Sequence, residues 1–252
     1  MTIEAATPPR RGGVAAGLSA GLFAATVHAA LLLSARLVPG ASPGRLADPG
    51  VVAFALLWLA WSAGEAALTP VDGGGRGAAP SAVASRVASR MDGSLGLATG
   101  LALLGGAWHG LWAGPGVALS PGWAAGAAVV SSLALAAGVA LRLEAVRVLG
   151  GRFVTAARVE AGAALVTAGP FACVRHPSEA GLLGASLAAA ILLRSPVQLA
   201  LWAGVLLPVS LTRARREDRV LAAAYGPVFE DYRRRTGSLW PRLRARSPST
   251  AP

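Results

Sequence analysis

LVTAGPFACVRHPSEAG, from Leu165 to Gly181, joins a polar connector to a long apolar run. Arg175 and His176 stand side by side and are followed at once by Pro177. Proline suits the first turn of a helix, because a residue there has no intrahelical N–H bond to lose. The next apolar run goes from Ala180 to Thr212 and is interrupted only by Arg194, Ser195 and Pro196. At about 1.5 Å per residue it overshoots one bilayer crossing as a straight helix. Two helices in a hairpin, turning at Ser195 and Pro196, fit it better. Both outer ends of the hairpin then lie on one side of the membrane, next to the Arg175–His176 loop.

Composition points the same way. The chain has 252 residues, 54% of them hydrophobic and 14% charged, against about 25% charged in an ordinary soluble domain. Its apolar residues are gathered into long uncharged blocks, which marks membrane helices, with room for about five to seven spans. The net charge is +11, and every basic residue is arginine. Such a charge could serve nucleic acid, but the arginines fill the gaps between apolar blocks and the tail, so no nucleic-acid partner is expected. A single cysteine, Cys173, excludes an internal disulfide framework and a multi-cysteine metal site.

Outward from the opening stretch, the chain falls into four parts. Residues 1–12 are a loose polar end carrying Arg10 and Arg11. Residues 13–140 form a four-helix hydrophobic part, 141–241 the part that carries the charged motifs, and 242–252 a flexible tail. Gly13 to Ala35 is uncharged and can span; its His28 is either one side of a polar pocket or a neutral histidine bonded between helices. Because the run exceeds a usual signal-peptide core, no cleaved leader is expected. Gly50 to Gly64 follows and ends at Glu65, which sits at the interface or faces an interior partner. Residues 70–92, rich in Gly, Ser and Pro, read as a loop. Two helices, about 94–113 and 123–147, are then separated by the helix-stopping GPG at 114–116 and SPG at 120–122. Trp108, His109, Trp112 and Trp123 read as an aromatic belt at one interface. In the tail, Leu221, Tyr225, Phe229 and Tyr232 recur at helical spacing across a break at Gly226 and Pro227.

Six spans put the amino terminus, the 70–92 loop, the 149–177 loop and the tail on one side. Nearly all the arginines collect there, with only Arg36, Arg45 and Arg194 opposite. The positive-inside rule makes that side cytoplasmic. The expected fold is therefore an all-α integral membrane protein of the inner or plasma membrane. It has about six transmembrane helices, both termini in the cytoplasm and a C-terminal cytoplasmic amphipathic helix.

On that face Arg175 and His176 meet Arg213, Arg216, Glu217 and Asp218 of the tail, with Glu144 and Glu160 further candidates. No HExxH and no acidic cluster supports a metal hydrolase, so no metal site is expected. Nothing marks a nucleophile turn at Ser178. The set suits a small zwitterionic ligand. Arginine grips a carboxylate bidentately. Glu217 can accept from a ribose diol or pair with an ammonium group, and His176 can donate or accept near neutral pH. The triplet is equally readable as no more than a basic juxtamembrane turn.

LVTAGPFACVRHPSEAG resembles the first signature of the membrane methyltransferases that include isoprenylcysteine carboxyl methyltransferase and the small phospholipid N-methyltransferases. RARREDRVLAAAYGPVFEDY, from Arg213 to Tyr232, is similar to the second block of that family, and LGGRF at 149–153 to the run before the first. The resemblance implies S-adenosylmethionine as cofactor and methyl transfer to a lipophilic acceptor at the cytoplasmic face, most like isoprenylcysteine carboxyl O-methylation. It implies that Gly169, Pro170, Arg175, His176, Pro177, Gly181 and Glu217 bind the cofactor. Arg213 and Arg175 would be catalytic, with Arg213 orienting the acceptor. Tyr225 and Tyr232 match the aromatic positions that pack the last helix.

Three positions depart from the pattern: Glu179 replaces a tyrosine, Asp218 a glutamate and Phe171 a tyrosine. Competing readings are methylation of a phospholipid or other small-lipid amine, a non-enzymatic membrane scaffold, and a nicotinamide-dependent membrane reductase of similar outline.

Overall fold

A computed structural model describes residue 34 and residues 47–68, 82–112, 116–150 and 164–242. His28, Arg36, Arg45, Glu160 and the first apolar run lie outside the described residues, apart from Ser34.

The described chain is helical throughout, with one isolated bridge between Val174 and Gly237. Five helices pack side by side: α1 (Pro49–Leu68), α2 (Ala82–Trp112), α3 (Pro121–Leu149), α4 (Pro177–Leu192) and α5 (Pro196–Tyr225). A short α6 (Pro227–Arg235) follows. Prolines open α1, α3, α4, α5 and α6, as a residue with a fixed φ and no N–H should. Among the described residues two helices, α3 and α5, are long and apolar enough to cross a membrane; α1 and α4 contribute shorter apolar segments.

Successive helices alternate in direction. Glu65 at the end of α1, Arg142 near the end of α3 and Ser178 at the start of α4 meet at one end of the bundle. The opposite end holds the Asp48–Arg194 ion pair and the bond from the Gly116 N–H to the Arg194 carbonyl. The hairpin expected at Ser195–Pro196 is there: Ser195 caps α5, its hydroxyl accepting from the Gln198 N–H at 3.2 Å.

The tightest joint is between α3 and α4. A Cβ at Gly138 would stand 2.6 Å from the Ala185 nitrogen, and one at Gly181 would stand 2.7 Å from both the Arg142 nitrogen and the Gly138 carbonyl oxygen. Only glycine lets these backbones approach so closely, the usual device for helices that must pack without a hydrophobic drive from water. The main core runs through Phe54, Trp58, Trp61, Leu111, Trp112, Leu135 and Leu182.

Three expectations change. Half of the 70–92 loop is helix, because α2 already begins at Ala82. Trp112 is no belt residue: it is 2% exposed in the core, whereas Trp123 is 78% exposed. The expected surface helix of the tail is not separate from the second hairpin helix. α5 continues through Thr212 into the arginine-rich segment and stops at Gly226, whose φ of 54° strains any residue with a side chain. Within α5 the turn Trp202–Leu206 is a π-helix. It ends two residues before Pro208, where a regular turn would set the proline ring against the carbonyl four residues earlier, that of Gly204.

Candidate functional site

The uninterrupted α5 sets the geometry of the site. Ser210, Arg213 and Glu217 lie at successive turns of one helix, and α4 runs alongside with His176 at its N-cap and Glu179 one turn in. The two helices are joined in rungs. In the outer rung the His176 ring bridges two carboxylates, Nδ1 at 3.2 Å from a Glu217 oxygen and Nε2 at 2.9 Å from Asp218 Oδ1. In the next, Glu179 accepts from the Ser210 hydroxyl at 2.6 Å and pairs with Arg213 Nη1 at 3.3 Å. Below them the Trp202 indole N–H donates to the Leu183 carbonyl at 2.9 Å.

Arg175 clamps the outer rung. Its Nε and Nη2 donate to the two oxygens of Asp218 at 3.2 and 3.1 Å, the fork geometry arginine favours. Its Nη1 donates to the Thr236 carbonyl at 2.7 Å and the Arg233 carbonyl at 3.2 Å. The backbone adds to this. The Arg175 N–H donates to the Gly237 carbonyl, the His176 N–H to the Ser238 carbonyl and the Gly237 N–H to the Cys173 carbonyl. The chain after α6 thus lies beside the 173–176 loop. Tyr232 of α6 donates its hydroxyl to the Phe171 carbonyl at 2.7 Å in the turn Gly169–Ala172, and burial raises the pKa of that hydroxyl to about 12.

The electrostatics follow from this arrangement. Burial alone would push the imidazole down. Hydrogen bonds to Asp218 and Glu217, and the charges of both, overcome it and raise His176 to about 9. At neutral pH the outer rung is therefore an imidazolium and a guanidinium facing two carboxylates. His176 and Arg175 are buried, but the Glu217 side chain is 47% exposed. The rung is closed on its inner side and presents a carboxylate edge outward.

Residues 130–223 match the family model described as the isoprenylcysteine carboxyl methyltransferase (ICMT) family. That stretch, a little over a third of the chain, resembles the family. A solved structure described as the eukaryotic intramembrane Ras methyltransferase ICMT (isoprenylcysteine carboxyl methyltransferase), without a monobody, is similar in fold. Its TM-score is 0.50 at 18% identity, covering 87% of this chain and 74% of that one. No curated protein matches. The fold is thus like that of ICMT, and among the described residues α3 and α5 are long and apolar enough to cross a membrane.

Within this ICMT-like frame, the sequence-expected residues take different places. His176 and Glu217 come together, as do Arg213 and the departure residue Glu179. Gly169 and Pro170 form the short turn before the loop, and Pro177 is the buried first residue of α4. Gly181 faces α3, not the rungs, because its missing side chain is what admits the α3 backbone. Arg175 is spent on Asp218 and two carbonyls, so its donors serve the loop's position.

Glu217, and not Asp218, is the carboxylate that the resemblance marks for the cofactor. Asp218 is in fact the common partner of Arg175 and His176. Glu144 pairs with Arg147 on the exposed face of α3, away from this cluster. The sequence reading left Glu65 at the interface or facing an interior partner; the structure pairs it with Arg142, which also reaches Ser178 and lies over the Trp61 ring. A single carboxylate closing an apolar block was its signal.

Proposed function

We propose that this protein is an S-adenosylmethionine-dependent methyltransferase that methylates a lipophilic acceptor at the cytoplasmic membrane face. A frame, residues 13–140, carries the methyltransferase-like part, 141–241. The observation that carries the reading is the outer rung. A buried imidazolium holds Glu217 so that a half-exposed carboxylate faces outward, beside a helix start whose first N–H groups have no side-chain cap. These residues fit the cofactor. Glu217 would accept from its ribose diol or pair with its ammonium group, the first turn of α4 would favour its carboxylate, and Gly169, Pro170 and Pro177 would shape the wall.

When bound, the cofactor supplies a methyl sulfonium that is already electrophilic. The chain's own task is to align the acceptor in line with it and to exclude water. Arg175 is a positioning residue that holds the loop on α5 through Asp218. Arg213, one turn inside Glu217, faces the acceptor. The proposed topology keeps six spans with both termini cytoplasmic.

Calorimetry on the protein in detergent is the test. S-adenosylmethionine should bind with a Kd on the order of micromolar. Glu217→Ala and His176→Ala should each weaken it about 10- to 150-fold, the loss of one charge-assisted hydrogen bond. No heat from folded wild-type protein would sink the reading in favour of a scaffold, and heat with a nicotinamide cofactor instead would identify a reductase.

A further inference from the structure

The inner rung bears on which acceptor the site accepts, an inference that rests on the methyltransferase reading. Glu179 reaches across from α4 to α5 and is held at both oxygens, by the fully buried Ser210 hydroxyl and by Arg213 Nη1. Its side chain is only 14% exposed. The other end of the Arg213 guanidinium points toward α2, where a Cβ at Gly96 would stand 3.8 Å from Nη2. The rung is thus a carboxylate, a hydroxyl and a guanidinium, one turn inside the His176–Glu217 rung and with Gly96 of α2 beside the guanidinium.

A carboxylate acceptor needs a cation to hold it. Arg175 is committed to Asp218 and to two carbonyls, and Arg142 to Glu65 and Ser178. Arg213 is already paired with Glu179. A carboxylate taking Arg213 would have to displace Glu179 and leave two negative charges side by side in a poorly hydrated place, where like charges repel most strongly. A cationic headgroup meets the opposite situation, because Glu179 can take it as a second partner without losing Ser210.

We propose that Glu179 sets the charge preference of the acceptor site, so that the protein methylates a lipophilic amine in preference to a carboxylate. The acceptor enters as an ammonium group paired with Glu179. It gives one proton to that carboxylate, and the freed nitrogen lone pair attacks the methyl carbon. The new C–N bond forms as the C–S bond breaks, with its electron pair left on sulfur as a thioether. The proton leaves Glu179 for solvent, so the products are a methylammonium, S-adenosylhomocysteine and one proton.

Farnesylamine and farnesoic acid share a tail and differ in the sign of the headgroup, so their ratio cancels the apolar contribution. Each would be titrated into protein loaded with S-adenosylhomocysteine, and methyl transfer to each followed with labelled cofactor. Wild type should bind and methylate the amine about tenfold or more in preference to the acid, one charge-assisted contact. Glu179→Gln, which keeps the shape and removes the charge, should move that ratio toward the acid by about tenfold or more. Arg213→Gln, the second variant, should retain the amine and lose what acid binding remains.

Equal binding of the two probes by wild type, no binding of either, or an unchanged ratio in Glu179→Gln would overturn the proposal. If S-adenosylhomocysteine binds in those cases, the methyltransferase reading survives. If it does not bind at all, both fall together.

Discussion

Removing the Asp218 carboxylate should cost far more stability than removing its neighbour Glu217, although both touch the same histidine. Asp218 accepts two bonds from Arg175 and one from His176. The Arg175 side chain is 7% exposed and that of Asp218 19%. Asp218→Ala would leave a buried guanidinium with its Nη1 partners alone, and an imidazolium with only Glu217. Breaking a buried pair from one side costs about 3–5 kcal/mol. Water can enter beside the partly exposed Asp218, which lowers the expectation to about 2–4 kcal/mol.

Glu217→Ala removes a half-exposed partner instead, and exposed pairs contribute about 0–1 kcal/mol. At about 2–4 °C per kcal/mol for a chain of this size, Asp218→Ala should melt about 4–16 °C below wild type in detergent, and Glu217→Ala within a few degrees of it. The order should reverse in calorimetry with S-adenosylmethionine for as much of Asp218→Ala as remains folded, since Glu217 carries the outward carboxylate. A wild-type melting point for Asp218→Ala beside a lower one for Glu217→Ala would refute the clamp.

Stability should fall with rising pH through one histidine. His176 rises from an ordinary 6.5 to about 9 on folding, so its contribution is complete below about pH 6.5, declines as the pH climbs and is gone above about 9. Each pH unit between those two values is worth about 1.4 kcal/mol, which makes about 3 kcal/mol in all; denaturation of wild type and His176→Asn at pH 6 and 9 should show the slope in the first and its loss in the second. Gly181→Ala forces a methyl against the α3 backbone and should destabilise by about 1–3 kcal/mol, read as a lowered melting temperature; unchanged melting would mean α3 and α4 are less tightly apposed. Single cysteines placed near residues 80 and 118 should be labelled from opposite sides of the membrane, and labelling of both from one side would defeat the six-span topology.

Much of the bundle was legible in the sequence because its causes are local. Ser195–Pro196 stops one helix and starts another through proline chemistry. The SPG at 120–122 starts α3 in the same way, and Gly226–Pro227 ends α5 where the tail stripe breaks. The errors came where propensity was ambiguous. The 70–92 stretch mixes Gly and Ser with an Ala-Val-Ala-Ser run that turns helical from Ala82. At Thr212 hydropathy changes abruptly, but a change of solvent does not end a helix while its backbone bonds continue.

Residue order alone carries the arginine-rich connectors, the hydrophobic hairpin, and the two charged blocks containing His176 and Glu217. Uncharged runs and proline positions are properties of neighbouring residues, and so is the ICMT-like motif. How the charges are paired is a property of the folded chain. Glu217 and Asp218 are adjacent letters, but one faces outward and the other is gripped by Arg175. Arg175 and Arg213 are both arginines in matching motifs, yet one is saturated by Asp218, Thr236 and Arg233 while the other meets Glu179. Those differences depend on α5 running straight past residue 212 and on the chain after α6 returning to the 173–176 loop. Both are contacts between distant segments, and a charge's partner is set by distance in space, not by spacing along the chain.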